Sequence, residues 1–128
     1  MARKAYERDT FTTVTNGGFW TAENEWMEAD WFGASPDGIV GDGLIEIKCF
    51  EYNNYIEYST KKYIPKNYIL QVQSQLLVTG KQWCDVVYYY PNLPLQIQRL
   101  YPDDIIHGQI IEALKLGISE AQKKIDYF

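Results

Sequence analysis

Apolar and polar positions repeat with two different periods along this chain, and the switches between them mark out its elements. Residues 2–9 (ARKAYERD) are rich in Ala, Arg, Lys and Glu and read as the end of a helix. Residues 11–14 and 18–22 are short β-prone runs flanking Asn16-Gly17, a strong turn dipeptide. The acidic, tryptophan-flanked residues 23–30 are expected to form a loop or an irregular strand connection. Residues 31–40 and 44–49 then read as two strands joined through Gly41-Asp42-Gly43. Residues 50–64 hold four tyrosines and two lysines without a clean period, which predicts a short helix and a mobile loop.

A helical period returns after Pro65, a residue suited to a first helical turn. Across 66–79 it turns Ile69, Val72, Leu76 and Leu77 towards the core. At about 100° per residue, Tyr68, Gln71 and Gln75 fall together on the opposite side. Gly80 follows as a C-terminal stop. Residues 84–90 and 95–100 form a hairpin around Pro91-Asn92-Leu93-Pro94. The last helix runs from about 103 to 126, capped by Asp103 or Asp104. Its apolar stripe of Ile106, Ile110, Leu114, Ile118, Ala121 and Ile125 is either core or an oligomer face. The order is α-β-β-β-β-α-β-β-α, an α+β fold with one central mixed sheet flanked by helices.

Composition narrows the class. A chain of 128 residues suits one domain, 1–128, with a modest core, and 46% apolar and 16% aromatic residues exclude a disordered chain. No apolar run approaches the roughly 18 residues of a membrane span. The charged start MARKAYE lacks the apolar stretch of a signal peptide. Cys49 and Cys84 are too few and too far apart for a disulfide framework or zinc site, so a reduced, cytoplasmic protein is expected. The net charge of −5 argues against a phosphate-binding coat over the whole surface, although it leaves room for a local basic groove.

The candidate chemistry lies in "GASPDGIVGDGLIEIKC", residues 33–49. Glu46 and Lys48 alternate with Ile45 and Ile47, so they share one face of a strand. The turn returns Asp37 towards them. Converging carboxylates repel unless a cation sits between them, and oxygen ligands suit magnesium or manganese. A lysine beside such a metal can position an attacking water, so the trio reads as metal-assisted phosphodiester hydrolysis. The plain alternative is a surface hairpin with an exposed Glu46–Lys48 pair worth roughly 0–1 kcal/mol. Against it, Ser35-Pro36-Asp37-Gly38 fixes the backbone at the first acid. The apolar flanks also place Glu46 and Lys48 on a buried strand, where unpaired charge is costly.

With "YILQVQSQLLVTG" and "CDVVYYYP" following in order, the chain resembles the phage lambda exonuclease and YqaJ-type recombination nucleases over most of residues 2–102. They belong to the PD-(D/E)XK superfamily, which implies a restriction-endonuclease-like core. The resemblance implies that Asp37 bridges Mg²⁺ or Mn²⁺ ions, with Glu46 and the backbone carbonyl of Ile47 binding one of them. It gives Lys48 the nucleophilic water, matches Gln71 to a glutamine on the following helix and matches Tyr68 to a tyrosine one turn earlier. Ser35 joins Tyr68 as an expected substrate contact. Gln75 either lines the site or faces water. Lys61, Lys62 and Lys66, interleaved with Tyr58 and Tyr63, either track a phosphate backbone or form a solvated basic loop.

Family members usually carry a further metal-facing glutamate shortly before an Ala-Arg dipeptide. Ala2-Arg3 matches that dipeptide, which places the glutamate ahead of Met1. Glu7, roughly 12 Å along the helix, is a poor substitute. Two functions therefore stand. One is an exonuclease acting on double-stranded DNA ends in phage-type recombination, in a bacterial host cell and of phage or prophage origin. The other is a catalytically impaired, nuclease-derived binding or inhibitor protein that contacts DNA or a host recombination or defence protein. Expected partners are DNA ends, a recombination protein and, because lambda-type members form rings, further copies of the chain. His107 has no partner in sequence and is expected at the surface.

Overall fold

The computed structural model describes residues 2–18, 20–24 and 27–127. Its central sheet contains β3 (Gly38–Val40), β4 (Gly43–Cys49), β5 (Trp83–Tyr89) and β6 (Gln96–Leu100), in that spatial order. The outer pairs are antiparallel and the central pair, β4 with β5, is parallel. Parallel neighbours need a long crossover, which residues 50–82 provide through α2 (Tyr52–Lys61) and α3 (Lys66–Thr79). Helix α1 (Ala2–Thr10) precedes the sheet and α4 (Asp104–Tyr127) follows it. β1 (Trp20–Asn24) and β2 (Met27–Ala34) form a separate antiparallel hairpin lying against α3. The architecture is thus the expected α+β one: a mixed sheet flanked by helices.

Period-2 alternation sorts β4 and β5 between two cores. Leu44, Cys84, Val86 and Tyr88 face α2 and α3, where they meet Tyr55, Val72 and Leu76. Ile45 and Val87 face the other way, against Tyr6, Val14 and Val40. Burial on both faces explains why these strands read as nearly continuous apolar runs. Cutting Leu44 to Ala would cost about 2–5 kcal/mol by leaving a cavity. Two glycines set the start of β4. Gly41 takes φ +54 in the two-residue turn that pairs Val40 with Gly43. A Cβ on Gly43 would lie 2.1 Å from the Trp83 ring, so this close approach admits only glycine.

Several elements differ from the sequence expectation. Residues 11–14 form no strand: Phe11 leaves α1 at φ +55, and pairing is limited to a bridge between Thr15 and Ile39. The Arg3 guanidinium donates to the Val14 carbonyl, and the Glu7 carboxylate accepts the Val14 N–H at 2.9 Å. Side chains of α1 therefore hold this segment where a ladder was expected. Residues 23, 24 and 27–30 belong to the β1–β2 hairpin, not to a loop. Residues 31–40 are two strands. β2 ends at Ala34, and Pro36, which has no N–H to give, lies in the gap before β3. Residues 50–64 do hold the expected short helix, the ten-residue α2, which Lys62 ends in the left-handed region at φ +52. Expectations for Phe19, Glu25 and Trp26, and for the side chains of Ile118, Ala121 and Ile125, lie outside the described residues. Among the described residues, no helix is long and apolar enough to cross a membrane.

Candidate active site

β4 and α3 build the site between them. On the β4 face that carries Leu44, the next two positions are Glu46 and Lys48, so both side chains rise towards α3. The Glu46 residue is 5% exposed. Gln71 and Gln75, one helical turn apart, grip its two oxygens separately. Gln71 Nε2 donates to Oε1 at 2.9 Å and Gln75 Nε2 donates to Oε2 at 3.1 Å. Lys48 Nζ lies 3.4 Å from Glu46 Oε1 and donates to Gln71 Oε1 at 2.7 Å. The same ammonium sits over the Tyr68 ring, 4.5 Å from its centroid. Behind Tyr68, the Phe50 ring stacks at 6.2 Å and meets Tyr88 edge-on.

Asp37 enters from the β3 edge. Carrying the Gly38↔Ile45 register one residue back sets Asp37 opposite Glu46. β3 has ended by then, and Asp37 Oδ2 accepts the Ile47 N–H at 2.7 Å. A carboxylate thus takes the place of the missing strand neighbour and is pinned beside β4.

The electrostatics are those of a site short of positive charge. Burial, and then the charge of Asp37, push the Glu46 carboxyl above its ordinary value of 4.5. The Gln75 hydrogen bond and the Lys48 charge pull it back only in part. The nearby Cys84 thiol is also pushed up, first by burial and then by the Glu46 charge, and stays protonated. The donors on offer are therefore oxygens: two carboxylates and the Ile47 carbonyl. Among the described residues, no three His, Cys, Asp or Glu side chains converge as a ligand group. This set fits a hard divalent cation such as Mg²⁺, which uses one or two carboxylates and keeps much of its water. One further observation fits it too. Gln75 Oε1 is buried with no hydrogen-bond partner, so the site holds an acceptor that no protein donor satisfies.

The structure brings together Asp37, Glu46, Ile47, Lys48, Tyr68, Gln71 and Gln75. Gln75 does not face water. It lies only roughly 60° around the helix from Val72 and turns inward with it. Other candidates are not drawn into this network. Ser35 Oγ donates to the Gly18 carbonyl at 3.3 Å. Lys61 pairs with Glu57 at 3.3 Å, and Lys62 and Lys66 are exposed where α2 gives way to α3.

Sequence reasoning missed two polar clusters. Gln73, next to the site glutamines but on another face of α3, donates to the Tyr101 carbonyl and accepts from Asp103 N and the His107 ring. It ties the start of α4 to α3 and gives His107 the partner that sequence did not reveal. Asp85 is 2% exposed behind the sheet, bonded by Tyr6 Oη at 2.7 Å and by Arg99 at 2.8 and 3.1 Å. Arg99 in turn lies 3.6 Å from the centroid of the Trp83 ring. A lone acid inside the apolar run WCDVVYY was the available signal for this cluster.

A mixed sheet with a carboxylate–lysine strand beside a glutamine-bearing helix defines a nuclease-like domain of the restriction-endonuclease-like fold. The model of the YqaJ-like viral recombinase domain matches residues 1–82, and the chain belongs to that family. Two crystal structures of the alkaline exonuclease LHK-Exo from Laribacter hongkongensis, one in complex with dAMP, are similar to it at 37% identity. Their TM-scores are 0.85 for the dAMP complex and 0.86 for the other. They cover 98% of this chain, which spans 65% and 66% of theirs, just under two thirds. A search of curated proteins finds no match.

Proposed function

We propose that this chain is the nuclease centre of a metal-dependent deoxyribonuclease that hydrolyses phosphodiester bonds from double-stranded DNA ends during phage-type recombination in a bacterial cell. One observation carries the reading: Lys48 is held 3.4 Å from Glu46 and 2.7 Å from Gln71, on a strand to which Asp37 is pinned. An exposed hairpin has no need of such a cluster. The family and the exonuclease LHK-Exo support the same reaction class.

Asp37, Glu46 and the Ile47 carbonyl would hold Mg²⁺ or Mn²⁺, which when bound supplies Lewis acidity towards the phosphate and eases deprotonation of the attacking water. Lys48 donates to that water and offsets charge developing on the phosphate. Gln71 fixes Lys48 and Glu46 relative to one another, and Tyr68 holds the ammonium from below. Lys61, Lys62 and Lys66, exposed where α2 gives way to α3, serve with Ser35 as phosphate contacts for the duplex.

The pairing of only two carboxylates among the described residues favours a second reading, a binding protein with this fold but little turnover. Digestion of linear and covalently closed duplex DNA in Mg²⁺ and Mn²⁺ separates the two. Nucleotide release from the linear form alone is expected. Release from neither form at any metal concentration overturns the nuclease reading, and equal attack on the closed circle overturns the requirement for an end.

A further inference from the structure

Within the α3–β4 network, every amide and carboxylate atom of Glu46 and Gln71 has a partner, as does the Lys48 ammonium. Gln75 differs. Its residue is 4% exposed, its Nε2 is spent on Glu46 Oε2, and its Oε1 is buried without a partner. The two atoms share one carbon, so the orphaned oxygen lies within one amide width of the atom that bonds Glu46. A buried acceptor left unsatisfied costs about 1–3 kcal/mol. Replacing Gln75 by an apolar residue would avoid that cost, and α3 already offers Val72 and Leu76 at this depth.

We infer that Gln75 is a positioning residue for the divalent cation: its Nε2 orients Glu46, and its Oε1 accepts a hydrogen bond from the cation's hydration water. The inference rests on the cation-binding reading above and gives a buried glutamine a task that packing does not. Mg²⁺ retains several waters, and a site with few protein ligands must hold those waters in place. Partners beyond the direct ligands typically change metal affinity about 10–100-fold. Gln71 differs in that both ends of its amide already have protein partners, Lys48 and Glu46.

The test is calorimetric titration of Mn²⁺ into the intact wild-type chain and into Gln75→Leu and Gln75→Glu, each first shown to fold by circular dichroism and a cooperative melt. Gln75→Met replaces Gln75→Leu if that variant fails to fold. Gln75→Leu, or Gln75→Met in its place, is expected to weaken Mn²⁺ binding at least about tenfold. Gln75→Glu loses the donor to Glu46 but keeps an oxygen at the Oε1 position, and is expected to bind at least as tightly as wild type. If Gln75 acted only by orienting Glu46, Gln75→Glu would bind as weakly as Gln75→Leu or Gln75→Met once high salt screens its added charge, and that result overturns the contact through Oε1. Unchanged affinity in the apolar variants overturns the inference as a whole. A wild-type chain that binds no Mn²⁺ refutes the cation-binding reading itself, which keeps the two failures apart.

Discussion

Gln71 on α3 accepts the Lys48 ammonium of β4 at 2.7 Å, and through the other end of the same amide it reaches Glu46 at 2.9 Å. One side chain therefore sets the spacing between the base and the acid of the site. Gln71 itself is exposed and contributes little to the core. Gln71→Ala is expected to lower kcat roughly 100-fold, the scale of a misplacement near 1 Å, with the melting temperature almost unchanged. Steady-state kinetics beside a thermal melt check both halves. An equally large loss of stability would make Gln71 a structural residue.

Glu46 gives a pH prediction with a definite sign. Its carboxyl is raised above 4.5 by burial and by Asp37, so its favourable contribution exists while it is protonated. That contribution is lost as pH rises from about 4.5 through the raised value, because ionising the folded protein then costs more than ionising the unfolded chain. Without divalent metal, Glu46→Gln is therefore expected to melt higher than wild type at neutral pH. The gap should close towards acid pH. Melts in chelator from acid to neutral pH check this, and a gap of the opposite sign would mean that Lys48 more than compensates the buried charge.

Asp85 separates stability from chemistry. It lies on the far face of the sheet, where Tyr6 and Arg99 satisfy it and so fasten α1 and β6 to β5. Burial and the Asp85 hydrogen bond both push the Tyr6 phenol up, keeping it a neutral donor. Asp85→Ala leaves the buried Tyr6 hydroxyl without its acceptor, while the half-exposed Arg99 can turn to water, and is expected to cost about 1–3 kcal/mol in denaturant titrations. Mn²⁺ affinity of the folded fraction should stay within about twofold of wild type, since additivity holds for sites with no shared partner.

Much of the architecture was legible because burial imposes a period. The alternation in "GLIEIKC" sent Glu46 and Lys48 to one face, and the spacing on α3 grouped Tyr68, Gln71 and Gln75. Contacts between distant segments were not legible. Gln75 looked as ready for water as for the site, and only the sheet packed against α3 decides that it is buried. Gln73 and His107 are 34 residues apart and meet because α4 begins beside α3. The break of residues 31–40 into β2 and β3 was missed for a local reason. Apolar and aromatic residues continue up to Ala34, while Pro36 removes the donor that a single strand would need.

Cleavage of an end-labelled linear duplex by wild type and Lys48→Ala tests the nuclease centre most directly, because Lys48 is the group assigned to the attacking water. Wild type is expected to shorten the duplex progressively in Mg²⁺ and to stop in chelator. Lys48→Ala, with its fold and Mn²⁺ binding retained, should be slower by roughly 10²–10⁴-fold. Equal rates for the two proteins, or no cleavage by wild type in either Mg²⁺ or Mn²⁺, would contradict the assignment.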